Sequence, residues 1–157
     1  MENLTTVEEA CTASVVTLSV GDITSPPSVK RKTDLPPLKA FVLTLETVEN
    51  RWDVEFAKAI RKALQYVKEN ASASVLVTRS ASQKFFSNGL DLQKMKSMTP
   101  EMQHIFMREA MLSFADVLDL PIPTICVIQG HAFGAVRQVL RNHNIAESDD
   151  ANENNRE

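Results

Sequence analysis

The stretch PIPTICVIQGHAFGA at residues 121–135 decides the class of fold. Pro121 and Pro123 end any preceding helix, because proline lacks the backbone N–H that a helix interior requires. The apolar, partly β-branched run at 124–128 has the length and composition of a buried strand, and Gly130 allows the chain to turn after it. The stretch therefore predicts a helix, a buried strand and a glycine-containing loop, in that order.

Upstream of this stretch, the apolar pattern predicts two more strands and two helices. Short apolar runs at 41–45 and 75–78 are typical of buried strands. Between them, apolar residues recur at three- and four-residue steps over 54–69, which predicts an amphipathic helix capped by Asp53. With a second helix over 100–118, the order of strands and helices predicts an α/β fold whose strands pair through helical crossovers.

The second helix has a clear start signal. Thr99 can cap it with its hydroxyl, and Pro100 fits the first helical position, where the missing N–H is harmless. The helical period predicts one buried face. The residues expected on that face are Met102, Ile105, Phe106, Met111 or Ala110, Phe114 and Val117.

The two ends of the chain differ in composition from the middle. Residues 1–37 mix Ser, Thr and Pro around a basic patch at 30–32, and we expect a disordered leader, although 15–20 alternate weakly. Residues 136–157 turn polar and acidic and are expected to be a solvated tail. The predicted folded domain therefore spans 38–135.

Composition excludes several classes of function. The chain has 157 residues and a formal net charge of −3, which suits one soluble domain without the basic field that a nucleic-acid partner requires. No apolar stretch approaches the roughly 18 residues of a membrane span, so we expect no membrane partner. Without a presequence or a terminal peroxisomal signal, the expected location is cytoplasmic, although a full-length relative could be peroxisomal.

The two cysteines are too few and too far apart for a disulfide framework or a metal site. Cys11 lies near the amino terminus and Cys126 lies within the apolar run of the predicted third strand. We therefore expect Cys126 to be a buried small hydrophobe, and we expect no metal.

Two loops that follow predicted strands carry the glycines around which chemistry is expected. In FFSNGLDLQKM at 85–95, Gly89 lets the backbone turn so that the N–H of Leu90 can point outward. Gly134 can do the same for Ala135 in the loop that follows the third strand. Two such amides that converge from different loops would form an oxyanion hole.

The two loops together resemble those of the crotonase superfamily, the enoyl-CoA hydratases and isomerases. FFSNGLDLQKM matches the family's F-x-x-G-x-D-[LI] segment, and PIPTICVIQGHAFGA matches its P-x-P-x-[IV] and G-x-A segment. The forms FFSNG and GHA, and the stretch ENRWDVEFAKAI at 49–60, are most similar to the enoyl-CoA delta isomerase branch found in plants and related eukaryotes. The resemblance covers residues 41–135 and implies the N-terminal part of a crotonase-like ββα superhelix.

The resemblance implies roles for named residues. The backbone N–H groups of Leu90 and Ala135 would hold the thioester oxygen of an acyl-CoA, which becomes an enolate oxygen when the neighbouring carbon loses a proton. No cofactor is expected beyond the coenzyme A of the substrate itself. The residues expected to contact that coenzyme A are Ser87, Asn88, Gly89, Gly134 and Arg51, with Lys39 as a further cation.

Two polar residues in these loops could be read as catalytic, but structural roles are expected for both. Asp91 follows the first loop and should cap the helix after it. His131 precedes the second glycine of its loop, and an imidazole can serve as an acid or a base, but in the isomerase branch this histidine belongs to the loop framework. We therefore expect it to make a structural hydrogen bond.

After Ala135 the sequence departs from the family's pattern. Val136 stands where a glycine is usual, and Gln138 stands where the hydratases carry a catalytic glutamate. Nothing later resembles the strand with the proton-shuttling carboxylate or the C-terminal helices through which family members form trimers. The chain is therefore expected to be a truncated domain whose activity is impaired.

The predicted function is acyl-CoA binding with stabilisation of a thioester enolate, as in fatty acid β-oxidation. Whether hydratase or isomerase chemistry applies stays open. The alternative is a noncatalytic fragment that binds coenzyme A or another protein. A nuclear adaptor that uses the basic patch at 30–32 is a third reading.

Overall fold

The computed structural model describes residues 5–6, 15–23, 38–70, 73–134 and 144–147. Eight strands and three helices lie in these ranges. In chain order they are β1 (Thr5–Thr6), β2 (Val16–Ile23), β3 (Leu38–Leu45), α1 (Val54–Glu69), β4 (Val75–Ser80), β5 (Phe85–Ser87), α2 (Leu92–Lys96), α3 (Pro100–Leu118), β6 (Thr124–Ile128), β7 (His131–Ala132) and β8 (Asn144–Glu147). The predicted α/β class is confirmed, with both predicted helices and all three predicted strands in place.

A six-stranded sheet forms the framework, in the order β1-β2-β3-β4-β6-β8. Strands β3, β4, β6 and β8 run parallel to one another, while β1 and β2 are antiparallel to their neighbours. A separate parallel pair joins β5 to β7. Because the carboxyl ends of β3, β4 and β6 lie at one edge of the sheet, the loops that leave these strands meet there.

Helix α1 covers the sheet with one apolar face. The Asp53 carboxylate accepts the N–H of Phe56 at 2.8 Å and so satisfies a donor that the first turn leaves unpaired, as predicted. Burial of each large apolar side chain contributes about 1.5–3 kcal/mol, so this face secures the helix. The residues buried along it are Phe56, Ala57, Ala59, Ile60, Ala63, Leu64 and Val67.

Helix α3 buries a narrower face than its sequence predicts. Phe106, Ala110 and Phe114 are buried, as expected. Met102 and Ile105 were also expected in the core but are 42% and 39% exposed, and of the alternatives Met111 and Ala110 the structure buries Ala110. The helix is apolar on more than one flank, so its period alone could not identify the flank that contacts α1.

A strand occupies part of the predicted disordered leader, so the prediction for 1–37 is wrong at β2. This strand pairs with β3 along its whole length, and Val16 and Leu18 are 0% and 1% exposed. The weak alternation at 15–20 was therefore a strand signal. It carries few apolar residues because β2 buries only one face, and β3 supplies the partner whose hydrogen bonds complete it.

A short strand likewise interrupts the predicted polar tail at 136–157. Residues Asn144–Glu147 form β8 and pair in parallel with β6. The expectation of a solvated tail is therefore wrong for these four residues. Backbone groups can extend the open edge of a sheet whatever side chains they carry, which is why a polar sequence did not predict this strand.

Cys126 lies inside the sheet as predicted. Its side chain is 3% exposed on β6. Burial raises the pKa of the Cys126 thiol to about 12, so it remains a neutral thiol. Cys11, by contrast, lies outside the described residues.

Candidate functional site

The two predicted glycine loops meet at the edge formed by the carboxyl ends of the parallel strands. Gly89 and Gly134 have φ values of +75° and +69°, which are backbone conformations that favour glycine. A Cβ added to Gly134 would lie 3.6 Å from the Cα of Gly89, and one added to Gly89 would lie 3.0 Å from the carbonyl oxygen of Phe133. The glycines that precede the two predicted donors are therefore in backbone contact.

The backbone around Leu90 is held by Trp52 on the neighbouring loop. Trp52 N–H donates to the Gly89 carbonyl at 2.8 Å, and Asp91 N–H donates to the Trp52 carbonyl at 2.8 Å. These two bonds lie on either side of Leu90. Within the ranges that the structure describes, the Leu90 N–H itself has no hydrogen-bond acceptor. Ala135, the second predicted donor, lies outside those ranges, so its role stays a prediction.

Ser87 occupies the centre of the site rather than its surface. It is fully buried, and its hydroxyl donates to the Asn50 carbonyl oxygen at 2.7 Å. The Ser87 hydroxyl oxygen in turn accepts the Gly89 N–H at 3.1 Å, and the Ser87 carbonyl accepts the Phe133 N–H at 2.9 Å. The predicted contact between Ser87 and coenzyme A stays a prediction, and the hydroxyl of this residue is bonded within the protein.

Asn50 is a site residue that sequence reasoning missed. It is fully buried with a φ of +46°. Its amide nitrogen donates to the hydroxyl of Ser80 at 2.8 Å and to the carbonyl of Phe86 at 2.9 Å, while its side-chain oxygen accepts the N–H of Thr47 at 3.0 Å. The available signal was the position of an asparagine just after a strand, since asparagine tolerates this backbone conformation better than most residues.

The rim of the site carries opposite charges. Arg51 is about two-fifths exposed and donates a hydrogen bond to the carboxylate of Glu49. That bond, with a smaller contribution from the side chain of Asn88, holds the pKa of Glu49 below its usual value. The Asn88 N–H also bonds to the Glu49 carbonyl at 2.9 Å. Arg51 and Asn88, both predicted ligand contacts, are therefore brought together beside the loops.

Lys39, the further predicted cation, lies elsewhere. It is exposed near the beginning of β3, whereas Arg51 follows the carboxyl end of that strand. Leu45 lies six positions after Lys39 along the strand, or roughly 20 Å away at about 3.3 Å per residue. The structure does not bring Lys39 to the loops.

His131 and Asp91 have structural contacts, as predicted, but of different kinds. Asp91 caps α2 and accepts the Lys94 N–H at 2.9 Å. The backbone N–H of His131 donates to the Lys84 carbonyl at 2.9 Å. Its imidazole is exposed and stacks on Phe133 at a ring distance of 5.6 Å, and among the described residues the side chain makes this aromatic contact and not the expected hydrogen bond.

Two further classes of site were tested on the described part of the chain. No group of three His, Cys, Asp or Glu side chains in these ranges could hold a metal ion. No helix among the described residues is long and apolar enough to cross a bilayer.

The two loops and the sequence around them match one known protein family. The family model of enoyl-CoA hydratase/isomerase matches residues 41–139, and the chain therefore belongs to that family. The match ends four residues beyond the predicted boundary at 135. The predicted crotonase-like fold is thus confirmed over most of the described residues.

Among curated proteins, the chain is 34% identical over 100 residues to the peroxisomal enoyl-CoA delta isomerase 1 of Arabidopsis thaliana. The aligned region covers 62% of this chain and 41% of that relative. It is 27% identical over 115 residues to the probable mitochondrial enoyl-CoA hydratase 2 of the same plant. This aligned region covers 71% of this chain and 38% of that relative. The chain spans 38% to 42% of the length of four such relatives.

Solved structures show the same fold at lower identity. The enoyl-CoA hydratase of Polaromonas sp. JS666 superposes with a TM-score of 0.65 at 21% identity, covering 71% of this chain and 46% of the other. The enoyl-CoA hydratase of Bacillus halodurans gives a TM-score of 0.64 at 16% identity, covering 75% and 48%.

Proposed function

We propose that this chain binds the thioester group of an enoyl-CoA and that the N–H groups of Leu90 and Ala135 form an oxyanion hole. The observation that carries the proposal is the backbone contact between Gly89 and Gly134. Because each glycine directly precedes one donor, this contact favours two N–H groups that face one oxygen. Coenzyme A would enter as part of the substrate, without a separate cofactor.

The chemistry of the site depends on backbone donors rather than on side chains. A thioester α-proton is weakly acidic, and fixed donors lower the barrier by stabilising the negative charge that develops on the oxygen. Loss of one such donor typically costs about 100- to 1,000-fold in rate. The proposed role of Leu90 depends on its N–H and not on its side chain, which is half-buried against the core.

Turnover by this chain is expected to be slow. Gln138 stands where hydratases carry a glutamate, and a carboxamide cannot accept the proton. The Glu49 carboxylate beside the loops is paired with Arg51, whose hydrogen bond lowers its pKa and makes it a poorer base. Absence of a general base typically costs about two to four orders of magnitude in rate.

A pair of variants at Leu90 tests the proposal. Leu90→Pro deletes the N–H, whereas Leu90→Ala keeps the N–H and removes most of the side chain. We expect wild type and Leu90→Ala to bind an enoyl-CoA more tightly than free coenzyme A in calorimetric titrations, and Leu90→Pro to lose most of this preference. Equal affinity of the wild-type chain for the two ligands would reject the oxyanion hole.

A second candidate is a noncatalytic fragment that binds coenzyme A or another protein. It is favoured by one flank of α3, where Met107, Met111 and Leu118 are 37%, 46% and 61% exposed. Assays of hydration and isomerisation of an enoyl-CoA separate the two candidates. Robust turnover would exclude the noncatalytic fragment and would also require a base other than the groups named above.

A further inference from the structure

We infer that Ser87 is a positioning residue for the oxyanion hole and sets the direction of the Leu90 N–H without touching the ligand. The inference rests on the proposed function, since it concerns the same site. Ser87 has a single hydroxyl proton and two lone pairs.

The direction of both hydroxyl bonds is fixed by their partners. The Asn50 carbonyl can only accept, so the Ser87 proton must point toward it, at an oxygen–oxygen distance of 2.7 Å. The Gly89 N–H can only donate, so a lone pair of Ser87 must receive it, at 3.1 Å. The hydroxyl therefore cannot rotate without breaking a bond in the fully buried interior.

The Gly89–Leu90 peptide unit is restrained on the other side by Trp52. Because a peptide unit is planar and trans, its C=O and N–H point in opposite directions. The Gly89 carbonyl accepts the Trp52 N–H at 2.8 Å, so the Leu90 N–H must point away from Trp52. Because glycine is the most flexible residue, the backbone at Gly89 needs restraint on both sides. The bond from the Gly89 N–H to the Ser87 hydroxyl restrains the Asn88–Gly89 peptide plane.

The same serine also holds the second loop. Its carbonyl accepts the Phe133 N–H at 2.9 Å, one residue before Gly134. Ser87 thus bonds to Gly89 through its side chain and to Phe133 through its backbone. Ser87 therefore links the first loop to the described part of the second.

Asn50 supplies the rigid support on which this arrangement depends. Its carbonyl orients the Ser87 hydroxyl, and its side chain is bonded to Thr47, Ser80 and Phe86. Thr47 lies between β3 and α1, Ser80 ends β4, and Phe86 lies in β5. The orientation of the hydroxyl is therefore tied to the ends of the strands that carry the loops.

The test compares two serine-to-alanine variants. Ser87→Ala removes the hydroxyl at the site and leaves the bond between the Ser87 carbonyl and Phe133 N–H intact. Ser113→Ala is the matched control, because Ser113 is also fully buried and its hydroxyl donates to the Ala110 carbonyl at 2.7 Å on α3. Both variants lose one buried hydroxyl, but only the first lies in the proposed site.

Two measurements report on positioning rather than on stability. One is the ratio of affinities for an enoyl-CoA and for free coenzyme A. The other is the infrared stretch of an isotope-labelled thioester carbonyl in the bound enoyl-CoA, which falls in frequency when fixed donors polarise it. We expect Ser113→Ala to match the wild type in both, whereas Ser87→Ala should lose about tenfold in the ratio and return the carbonyl toward its frequency in water.

The outcomes separate the inference from the proposed function. A wild-type chain with no carbonyl shift and no preference for the thioester would overturn the proposed function. A normal wild type with an unchanged Ser87→Ala would overturn only the positioning role. If Ser87→Ala does not fold, Ser87→Cys keeps a weaker donor and acceptor at longer distance, and an unchanged ratio and carbonyl frequency in that variant would overturn the role equally.

Discussion

At the scale of single residues, the three loop glycines share a left-handed backbone but differ in their surroundings. Gly130 has a φ of +101°, and a Cβ there would lie 2.5 Å from the Lys84 carbonyl oxygen. Of the residues that the structure describes, a Cβ at Gly134 would meet only Gly89, at 3.6 Å from its Cα. Gly130 is therefore required for the approach of two backbones, whereas Gly134 is required for its conformation alone.

This difference predicts unequal costs of substitution by alanine. Gly134→Ala should lower the free energy of unfolding by about 1–2 kcal/mol, the usual cost of a left-handed alanine. Gly130→Ala should cost more, because it also forces Lys84 away from the His131 N–H that it accepts at 2.9 Å. Urea unfolding measures both costs, and equal losses would contradict the prediction.

The glycines could be predicted from the sequence, but Asn50 and the buried role of Ser87 could not. Glycine in a loop after a strand is a local signal, since its conformational freedom is its own property. The function of Asn50 depends on partners up to 36 residues away, in β4 and β5. Such partners are defined only when the sheet is assembled, so no local pattern could reveal them.

At the scale of elements, the first helix begins at a charged cap that responds to pH. Burial opposes ionisation of Asp53, but hydrogen bonds from the Lys94 ammonium, at 2.5 Å, and from the Phe56 N–H outweigh it. The pKa of Asp53 is therefore lowered in the folded chain. An acid of this kind stabilises the fold above its unfolded pKa of about 3.9, and this stability is lost as the pH falls through the lower folded value.

Asp53→Asn removes the negative charge but keeps a helix cap, because asparagine also caps helices well. We expect the variant to be less stable than the wild type at neutral pH and the gap to close in acid, where Asp53 is protonated. Unfolding free energies at neutral pH and below the folded pKa measure the gap. Asp53→Ala, which removes the cap as well, serves as the control that stays destabilised at both. A gap of constant size would show that the charge is not involved.

The elements with strong periodicity or clear caps were predicted well, and the exceptions have a common cause. Helices α1 and α3 carry their own start signals at Asp53 and Thr99. Strands β2 and β8 exist through their neighbours β3 and β6, and their sequences carry few apolar residues or none in a run. An element whose stability comes from backbone pairing leaves a weak trace in the sequence.

At the scale of the whole molecule, the only tryptophan lies between the core and the candidate site. Trp52 is 6% exposed and packs against the rings of Phe56 and Phe114 at 5.5 and 4.8 Å. Its indole N–H is buried, with no acceptor among the described residues. The side chain thus joins helices α1 and α3 in the core, while its backbone flanks Leu90.

The emission of Trp52 should therefore report both folding and binding. We expect native emission at shorter wavelength than that of an exposed indole and weak quenching by acrylamide, with both signatures lost in urea. Addition of an enoyl-CoA should change the native emission, because the loop of Leu90 is bonded to the backbone of Trp52. Long-wavelength, readily quenched emission without denaturant would show that this chain does not form the described core by itself.

The parallel pairing of β5 with β7 also has a consequence for the order of events during synthesis. The two site glycines are 45 residues apart, from position 89 to position 134. At about 5–20 residues per second, the second loop emerges from the ribosome about 2–9 seconds after the first. During that interval the Ser87 carbonyl lacks its partner Phe133, so a nascent chain has only half of the proposed oxyanion hole. Ligand binding should begin only once the later loop has been translated and has docked.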